Sequence, residues 1–126
     1  MALKAEQIEQ VKLFDFIRSK PLIAPFAFHV ANERKTSMYE GRLLKRLGVI
    51  SGVPDVFIML PNHRYHALII ELKAGKGKLS PAQQTFLDNM NSQGYCAVCC
   101  HGFEAAKAVI ETYVGGGGSN SLPQIT

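Results

Sequence analysis

The feature that most constrains the fold is the stretch from Gly52 to Lys73, GVPDVFIMLPNHRYHALIIELK, in which two apolar runs flank a turn. The runs Val56 to Leu60 and Ala67 to Leu72 are separated by a segment that begins with Pro61-Asn62. Aliphatic and β-branched residues on both sides of such a break are typical of a β-hairpin. The chain is therefore predicted to be built around two antiparallel strands.

Three ionisable residues lie at the ends of these predicted strands. Asp55 opens the first strand, and Glu71 and Lys73 close the second. Because side chains alternate along a strand, Glu71 and Lys73 share one face, whereas Ile70 and Leu72 point to the opposite face and can pack in a core. We therefore expect charged groups to gather on one side of an otherwise apolar sheet.

This combination of residue types indicates metal chemistry. Neighbouring carboxylates repel each other, and a hard cation such as Mg²⁺ or Mn²⁺ relieves that repulsion. In metal-assisted phosphodiester hydrolysis, the ion polarises the phosphoryl oxygen and an ammonium group orients water or stabilises negative charge. Asp55 and Glu71 are thus predicted metal ligands, and Lys73 is predicted to assist the nucleophile. In the alternative interpretation, Asp55 only forms part of a turn, and Glu71 and Lys73 lie on the solvated face of an edge strand.

Pro54-Asp55 followed by Glu71-x-Lys73 resembles the PD-(D/E)XK nuclease signature. The wider context, GVPD, IIELKAGKGKLSPAQ and the later Gly94-Tyr95, resembles the VRR-NUC branch, notably its stand-alone phage-type members, from roughly residue 6 to residue 114. The resemblance implies a metal-dependent DNA endonuclease. It also implies an α/β fold with a restriction-endonuclease-like core, in which helices flank a mixed β-sheet in the order αβββαβ.

The resemblance extends the predicted site to other parts of the chain. In the family, the first helix carries a glutamate that joins the metal site and a glutamine four residues later; Glu6 and Gln10 match this spacing, and Glu9 is a rival. The glutamine of the LSPxQ pattern, Gln83, is implied in catalysis, and the backbone carbonyl of Leu72 is a further candidate ligand. Without the resemblance, Glu6 and Gln83 would both be interpreted as solvated residues.

Positive charge exceeds negative charge and is unevenly distributed. The chain has 14 Lys and Arg against 10 Asp and Glu, a net charge of +4. The candidate nucleic-acid-binding residues are Arg34, Lys35, Arg42, Lys45 and Arg46, together with Lys76 and Lys78 in the glycine-containing loop AGKGKL. Such a patch can bind a polyanion, although surface charge also promotes solubility. The loop AGKGKL is either a phosphate-binding segment or a plain connector.

The segment Cys96-Ala-Val-Cys99-Cys100-His101 contains a CxxC pair. If it forms a strand, Cys96 and Cys100 point to one face and Cys99 and His101 to the other, so that the four groups cannot surround one zinc ion. A redox CxxC would normally begin a helix. We therefore predict buried strand cysteines with free thiols, as in a reducing compartment.

Apolar periodicity predicts the remaining elements. Helices are expected from about Ala5 to Arg18, from a cap at Thr36 or Ser37 to about Leu47, from Ser80-Pro81 to about Gln93, and from Phe103 to Val114; strands are expected at 26–30 and 95–101. The second helix is predicted to be basic on one side and to face the core with Leu43, Leu44 and Leu47.

The length of 126 residues and the 47% hydrophobic content suit one domain, predicted at residues 1–114, with a flexible tail at 115–126. No run approaches 18 consecutive apolar residues and the first ten residues lack the apolar segment of a signal peptide, so a soluble, cytoplasmic protein of bacterial or phage type is expected.

The small domain also leads to an expectation about assembly. A homodimer would enlarge the DNA-binding surface and match the two-fold symmetry of a four-way junction, and the resemblance implies dimerisation as well. Candidate interface residues are Leu22, Ile23, Phe26 and Phe28. A buried strand in this segment would also account for their apolar character. Two other functions remain open: a catalytically inactive nucleic-acid-binding module and a protein-interaction adaptor.

Overall fold

A computed structural model describes residues 2–31 and 37–115. The elements, in chain order, are α1 (Ala5–Arg18), β1 (Ala27–Phe28), α2 (Met38–Arg46), β2 (Val56–Ile58), β3 (Leu68–Lys73), α3 (Pro81–Ser92), β4 (Cys96–His101) and α4 (Phe103–Gly115). The strands form one sheet in the order β1-β2-β3-β4, antiparallel except for the parallel pair β3–β4. The predicted mixed sheet with flanking helices is confirmed.

The hairpin on which the prediction centred is formed by β2 and β3, with Val56 opposite Ile70. Strand β2 ends at Ile58, two residues earlier than predicted. The connection is organised by Asn62, whose side-chain oxygen accepts hydrogen bonds from the backbone N–H groups two and three residues later, at 2.9 and 2.8 Å. A side chain that binds its own following backbone amides favours a turn over a continued strand.

Alternation along β3 separates the two sides of the sheet. Ile70 and Leu72 belong to the main core, which α1 and α4 complete with Leu13, Ile17, Ile110 and Tyr113. Ile69 points to the other side, where it packs with Leu87 of α3 and Ala97 of β4. Since Glu71 and Lys73 are in step with Ile69, the sheet presents them on the side covered by α3.

Helix α2 differs from its prediction. Ser37 caps it as expected, accepting a hydrogen bond from the backbone N–H of Glu40 at 3.1 Å. However, no residue of α2 is buried, and Leu43 and Leu47 are exposed. The predicted core-facing stripe is wrong because α1 and α4 already cover one side of the sheet and α3 covers the other, which leaves α2 on the periphery.

Strand β4 alternates as predicted. Cys96 and Cys100 are buried in the main core, whereas Cys99 packs at the α3 side. All three cysteines are free. Burial raises the pKa of the Cys96 thiol to about 11 and that of Cys100 to about 12, so both remain protonated hydrophobic residues.

Among the proposed interface residues, Ile23 is buried in the main core, so its candidacy is withdrawn. Leu22, Phe26 and Phe28 are exposed. The predicted strand at 26–30 is reduced to Ala27–Phe28 because a short 3₁₀ turn, Ala24–Phe26, precedes it. Within the described ranges, no helix has the length and hydropathy needed to cross a bilayer. Gly115, the first residue of the predicted tail at 115–126, ends α4, and the rest of that tail lies outside these ranges.

Candidate metal centre

Three carboxylates converge at one end of the β2–β3 hairpin. Glu6 comes from the first turn of α1, Asp55 directly precedes β2, and Glu71 lies on β3. One oxygen of each lies within 4.8 Å of the other two. Asp55 and Glu71 are buried, with 5% and 2% of their surface exposed, whereas Glu6 is partly exposed. The structure thus brings Asp55 and Glu71, predicted as ligands from the residue pattern, together with Glu6, which the family resemblance implied.

Asp55 is fixed at both its side chain and its backbone. The backbone N–H of Leu72 donates a hydrogen bond to Asp55 Oδ2 at 2.8 Å. The ring of His29 contacts the backbone carbonyl of Asp55 through Nδ1 at 2.7 Å. Since a carbonyl oxygen only accepts, His29 Nδ1 must carry the proton. No local motif marks His29, because its partner lies 26 residues away.

Two features of the backbone at position 52 require a glycine there. Its φ of +82° is unfavourable for residues with a side chain. In addition, a Cβ at this position would lie 2.5 Å from the carbonyl group of Ala82 and 2.8 Å from the backbone nitrogen of Gln83. The loop that carries Asp55 therefore rests directly on the first turn of α3.

That first turn of α3 delivers Gln83 to the site. Ser80 accepts a hydrogen bond from the backbone N–H of Gln83 at 3.2 Å, and Gln83 Oε1 accepts one from the backbone N–H of Ser80 at 2.8 Å. This capping box fixes the glutamine side chain. Gln83 Oε1 also accepts from Lys73 Nζ at 3.0 Å, while its Nε2 lies 3.5 Å from Glu71 Oε2. Gln83 thus contacts two predicted catalytic residues.

The environment of Glu71 is strongly unfavourable for a negative charge. Burial, followed by a hydrogen bond with Asp55 and repulsion from Asp55, raises the pKa of Glu71 to about 8, although Lys73 partly opposes the shift. Lys73 Nζ lies 3.7 Å from Glu71 Oε2. The other oxygen, Oε1, is buried and has no hydrogen-bond partner among the described residues. A buried, unsatisfied oxygen beside two further carboxylates fits a hard divalent cation such as Mg²⁺ or Mn²⁺.

Glu9, the alternative to Glu6 as a metal ligand, has a different role. Its Oε1 accepts a hydrogen bond from the backbone N–H of Phe103 at 3.0 Å, and its Oε2 lies 3.3 Å from Lys12 Nζ. The hydrogen bond from Phe103, together with Lys12, lowers the pKa of Glu9 below its usual value. Glu9 therefore accepts a hydrogen bond from the first N–H of α4, where a negative charge is favourable.

The predicted DNA-binding residues lie in two places. Arg42, Lys45 and Arg46 are exposed on α2, and Lys76 and Lys78 are exposed on the loop that follows Lys73. His101 Nε2 donates to the Gly77 carbonyl at 2.8 Å and ties this loop to β4. Arg34 and Lys35 lie outside the described residues.

With this geometry in place, comparison with known proteins identifies the family. Residues 25–104, more than half of the chain, match the family model of the VRR-NUC domain. The chain belongs to the VRR-NUC family. No curated protein matches the sequence.

Two solved structures support the VRR-NUC assignment. A VRR-NUC domain protein shares 26% sequence identity with a TM-score of 0.80, covering 98% of this chain and 99% of its own. A second VRR-NUC domain, 21% identical with a TM-score of 0.57, covers 88% of this chain and 99% of its own and shares the fold. The fold is therefore of the nuclease type, and its buried acidic group has a composition that can hold a metal ion.

Proposed function

We propose that this VRR-NUC protein is a metal-dependent DNA endonuclease that hydrolyses phosphodiester bonds. The observation that carries the proposal is the convergence of Glu6, Asp55 and Glu71 beside Lys73, with one buried oxygen of Glu71 left without a hydrogen-bond partner among the described residues. Burying carboxylates next to one another is costly unless a cation binds them. Lys73 and the Leu72 N–H offset part of that cost, and a divalent cation would satisfy the remaining oxygen of Glu71.

The chain's own residues have distinct proposed tasks at this centre. Glu6, Asp55 and Glu71 hold Mg²⁺ or Mn²⁺, with the Leu72 carbonyl as a further proposed ligand. The bound ion supplies a Lewis acid and lowers the pKa of a coordinated water. The Leu72 N–H keeps the Asp55 carboxylate in a fixed orientation, so the ligand set is arranged before substrate binds.

Lys73 is the proposed partner of the attacking water and the scissile phosphate. An ammonium group has three donors and no acceptor. Gln83 accepts one of these donors at 3.0 Å, which directs the remaining donors and fixes the position of the charge. A cation held in this way stabilises the negative charge that develops on the phosphoryl oxygens without having to reorganise.

DNA is proposed to bind through the exposed basic residues of α2 and of the loop at Lys76 and Lys78, whose charges suit phosphates and carry little sequence information. Branched DNA, such as a flap or a four-way junction, is the proposed substrate, bound by a homodimer. The apolar side chains of Leu22 and Phe26, 84% and 45% exposed, are the proposed dimer contacts. A two-fold pair would present two centres to a symmetric junction.

A panel of duplex, flap, splayed and four-way DNAs, incubated with Mg²⁺, Mn²⁺ or EDTA and followed by mapping of the products, tests the proposal. We expect cleavage with metal and none in EDTA, with Asp55→Asn and Glu71→Gln inactive but folded. Asp88→Asn, which alters an exposed carboxylate of α3, is the control and should cleave normally. Metal-independent binding without any cleavage would instead favour the catalytically inactive module, and light scattering would report the dimer separately.

A further inference from the structure

An open groove of about 580 Å³ lies between α1 and β1, the edge strand of the sheet. Helix α1 lines it with Gln10, Val11 and Phe14, and the opposite wall is formed by Ala27, Phe28 and His29. Its volume lies within the range of small-molecule sites, about 300–1,000 Å³. None of these side chains has a part in the chemistry proposed above.

We propose that this groove binds an unpaired nucleotide next to the scissile phosphate, an inference that rests on the proposed nuclease function. Two residues that line the groove connect it to the carboxylate cluster. Gln10 lies one helical turn from Glu6, about 6 Å along the axis of α1. His29 lines the groove and contacts the Asp55 backbone carbonyl at 2.7 Å. A strand whose phosphate lies at the cluster therefore has this groove beside it.

The composition of the groove favours a base over a duplex backbone. Among the described residues that line it, Arg18 is the one arginine; it lies near Asp15, with 3.5 Å between Nη1 and Oδ1, and over the ring of Phe14. A surface that follows duplex phosphates needs several cations, and the described basic residues proposed for that role lie on α2 and on the loop after β3. Aromatic and aliphatic side chains, by contrast, suit the face of an unpaired base.

The groove is also firmly built. Ile17 forms part of its lining and is buried in the main core. The ring of Phe28 stacks on Phe57 with a centroid separation of 5.4 Å and an interplanar angle of 4°. Because His29 donates through Nδ1, its Nε2 is an acceptor in the neutral ring, and the Gln10 amide has both donors and an acceptor. Such groups can pair with the polar edge of a base.

Two substitutions on α1 form a matched test. Val11→Glu places a bulky negative charge in the groove, whereas Ile8→Glu adds the same charge to the same helix outside it; the two residues are 48% and 41% exposed. Binding is measured with a flap DNA carrying 2-aminopurine at the unpaired position beside the branch and with a blunt duplex. Ca²⁺, which also takes oxygen ligands, replaces Mg²⁺.

We expect Val11→Glu to weaken flap binding by about 5-fold or more relative to Ile8→Glu, as for the loss of one stacked base, and to abolish the change in 2-aminopurine fluorescence at saturating protein. Duplex affinity should be the same for both variants. Phe28→Leu paired with Met59→Leu provides a second comparison if Val11→Glu has a reduced Tm, since the two residues are 45% and 46% exposed and, of the two, Phe28 alone lines the groove.

Equal flap affinities for the variants of each pair would overturn the proposal, as would an equal loss of duplex binding. If Val11→Glu bound the flap normally but had half the wild-type molecular mass by light scattering, the groove would instead be the contact with a second copy of the chain. If the nuclease proposal fails, the protein will not cleave DNA in Mg²⁺, but the binding of the variants in Ca²⁺ can still be compared.

Discussion

The ammonium nitrogen of Lys73 lies 3.0 Å from the side-chain oxygen of Gln83. The two residues belong to different elements, β3 and α3, and the same glutamine oxygen also accepts the backbone N–H of Ser80 at 2.8 Å. One side chain thus contacts both the start of α3 and Lys73, the proposed catalytic lysine. The neighbouring Gln84 has no such role, since its amide donates to Asp88 at 2.8 Å on the exposed side of the helix.

This pair of glutamines gives the first prediction. Gln83→Ala removes the group that orients Lys73 and should slow cleavage by about 10- to 100-fold, as is usual for residues that position a catalytic group. Gln84→Ala should cleave at the wild-type rate. Single-turnover cleavage, at a temperature well below the Tm of both variants, makes the comparison independent of the lost capping box. Equal rates would show that Lys73 does not depend on Gln83.

The second prediction concerns Glu71 and pH. In the folded, metal-free protein its pKa is about 8, against an ordinary value of 4.5. Between these values the folded state retains a proton that the unfolded chain has released, so the free energy of unfolding should fall as pH rises from about 4.5 to about 8 and then level off. Glu71→Gln should remove this part of the pH dependence. Urea denaturation in EDTA at several pH values measures it.

The same shift affects metal binding. The ion requires ionised carboxylates, so its affinity should increase with pH up to about 8, and binding should release protons. Calorimetry in buffers of different ionisation enthalpy detects that release. A metal affinity that does not change across this range, together with a flat stability profile, would show that Glu71 is already ionised in the free protein.

The third prediction separates Glu6 from Glu9, three residues apart on α1. Glu6→Gln should abolish or severely reduce metal-dependent cleavage with little change in Tm, because Glu6 belongs to the carboxylate cluster. Glu9→Gln should retain activity and lower Tm, because Glu9 neutralises the start of α4. Since the pKa of Glu9 is lowered, its stabilising effect should disappear as pH falls below the ordinary carboxyl value. Reversed phenotypes would exchange the two assignments.

The sequence predicted the hairpin and its charged ends because both follow from local periodicity. Strand alternation alone placed Glu71 and Lys73 on the face opposite Ile70 and Leu72, and the structure agrees. The convergence of Glu6 with Asp55 was a different matter. It depends on how α1 packs against the sheet, and only the family resemblance indicated it.

What the sequence missed were relationships between distant segments. The contact between His29 and Asp55 joins residues 26 positions apart, and the close approach of Gly52 to Ala82 joins residues 30 positions apart; neither leaves a periodic signal. The amphipathic pattern of α2 was detected correctly but interpreted wrongly, since a stripe of leucines does not show whether a sheet face remains for it to cover. Leu43 and Leu47 are exposed for that reason.

The fourth prediction concerns the basic residues of α2. Arg42→Ala combined with Lys45→Ala should weaken DNA binding about equally for all sequences and reduce the slope of log affinity against log salt by about 2, one for each lost phosphate contact. Lys20→Ala with Lys107→Ala, which removes two charges packed against the Phe16 ring, should leave the slope unchanged. Identical slopes for the two double variants would place the phosphate contacts elsewhere.

The fifth prediction concerns Gly52, where backbone strain and close approach coincide. Gly48 has a similarly positive φ, +101° against +82°, but a Cβ there would meet nothing within 4 Å. Gly48→Ala should therefore cost only the backbone strain, about 1 kcal/mol. Gly52→Ala adds a Cβ 2.5 Å from the Ala82 carbonyl group, and backbone atoms in a helical turn cannot rotate away as a flexible side chain would.

Either the loop before Asp55 or the first turn of α3 must then move. Because that loop carries Asp55 and that turn carries Gln83, Gly52→Ala should reduce cleavage as well as stability, whereas Gly48→Ala should cleave normally. Denaturant unfolding measures the difference in stability, and cleavage under saturating metal measures the displacement of the site. If both variants lost the same stability and retained full activity, the contact between Gly52 and α3 would have no part in holding the carboxylate cluster beside Gln83.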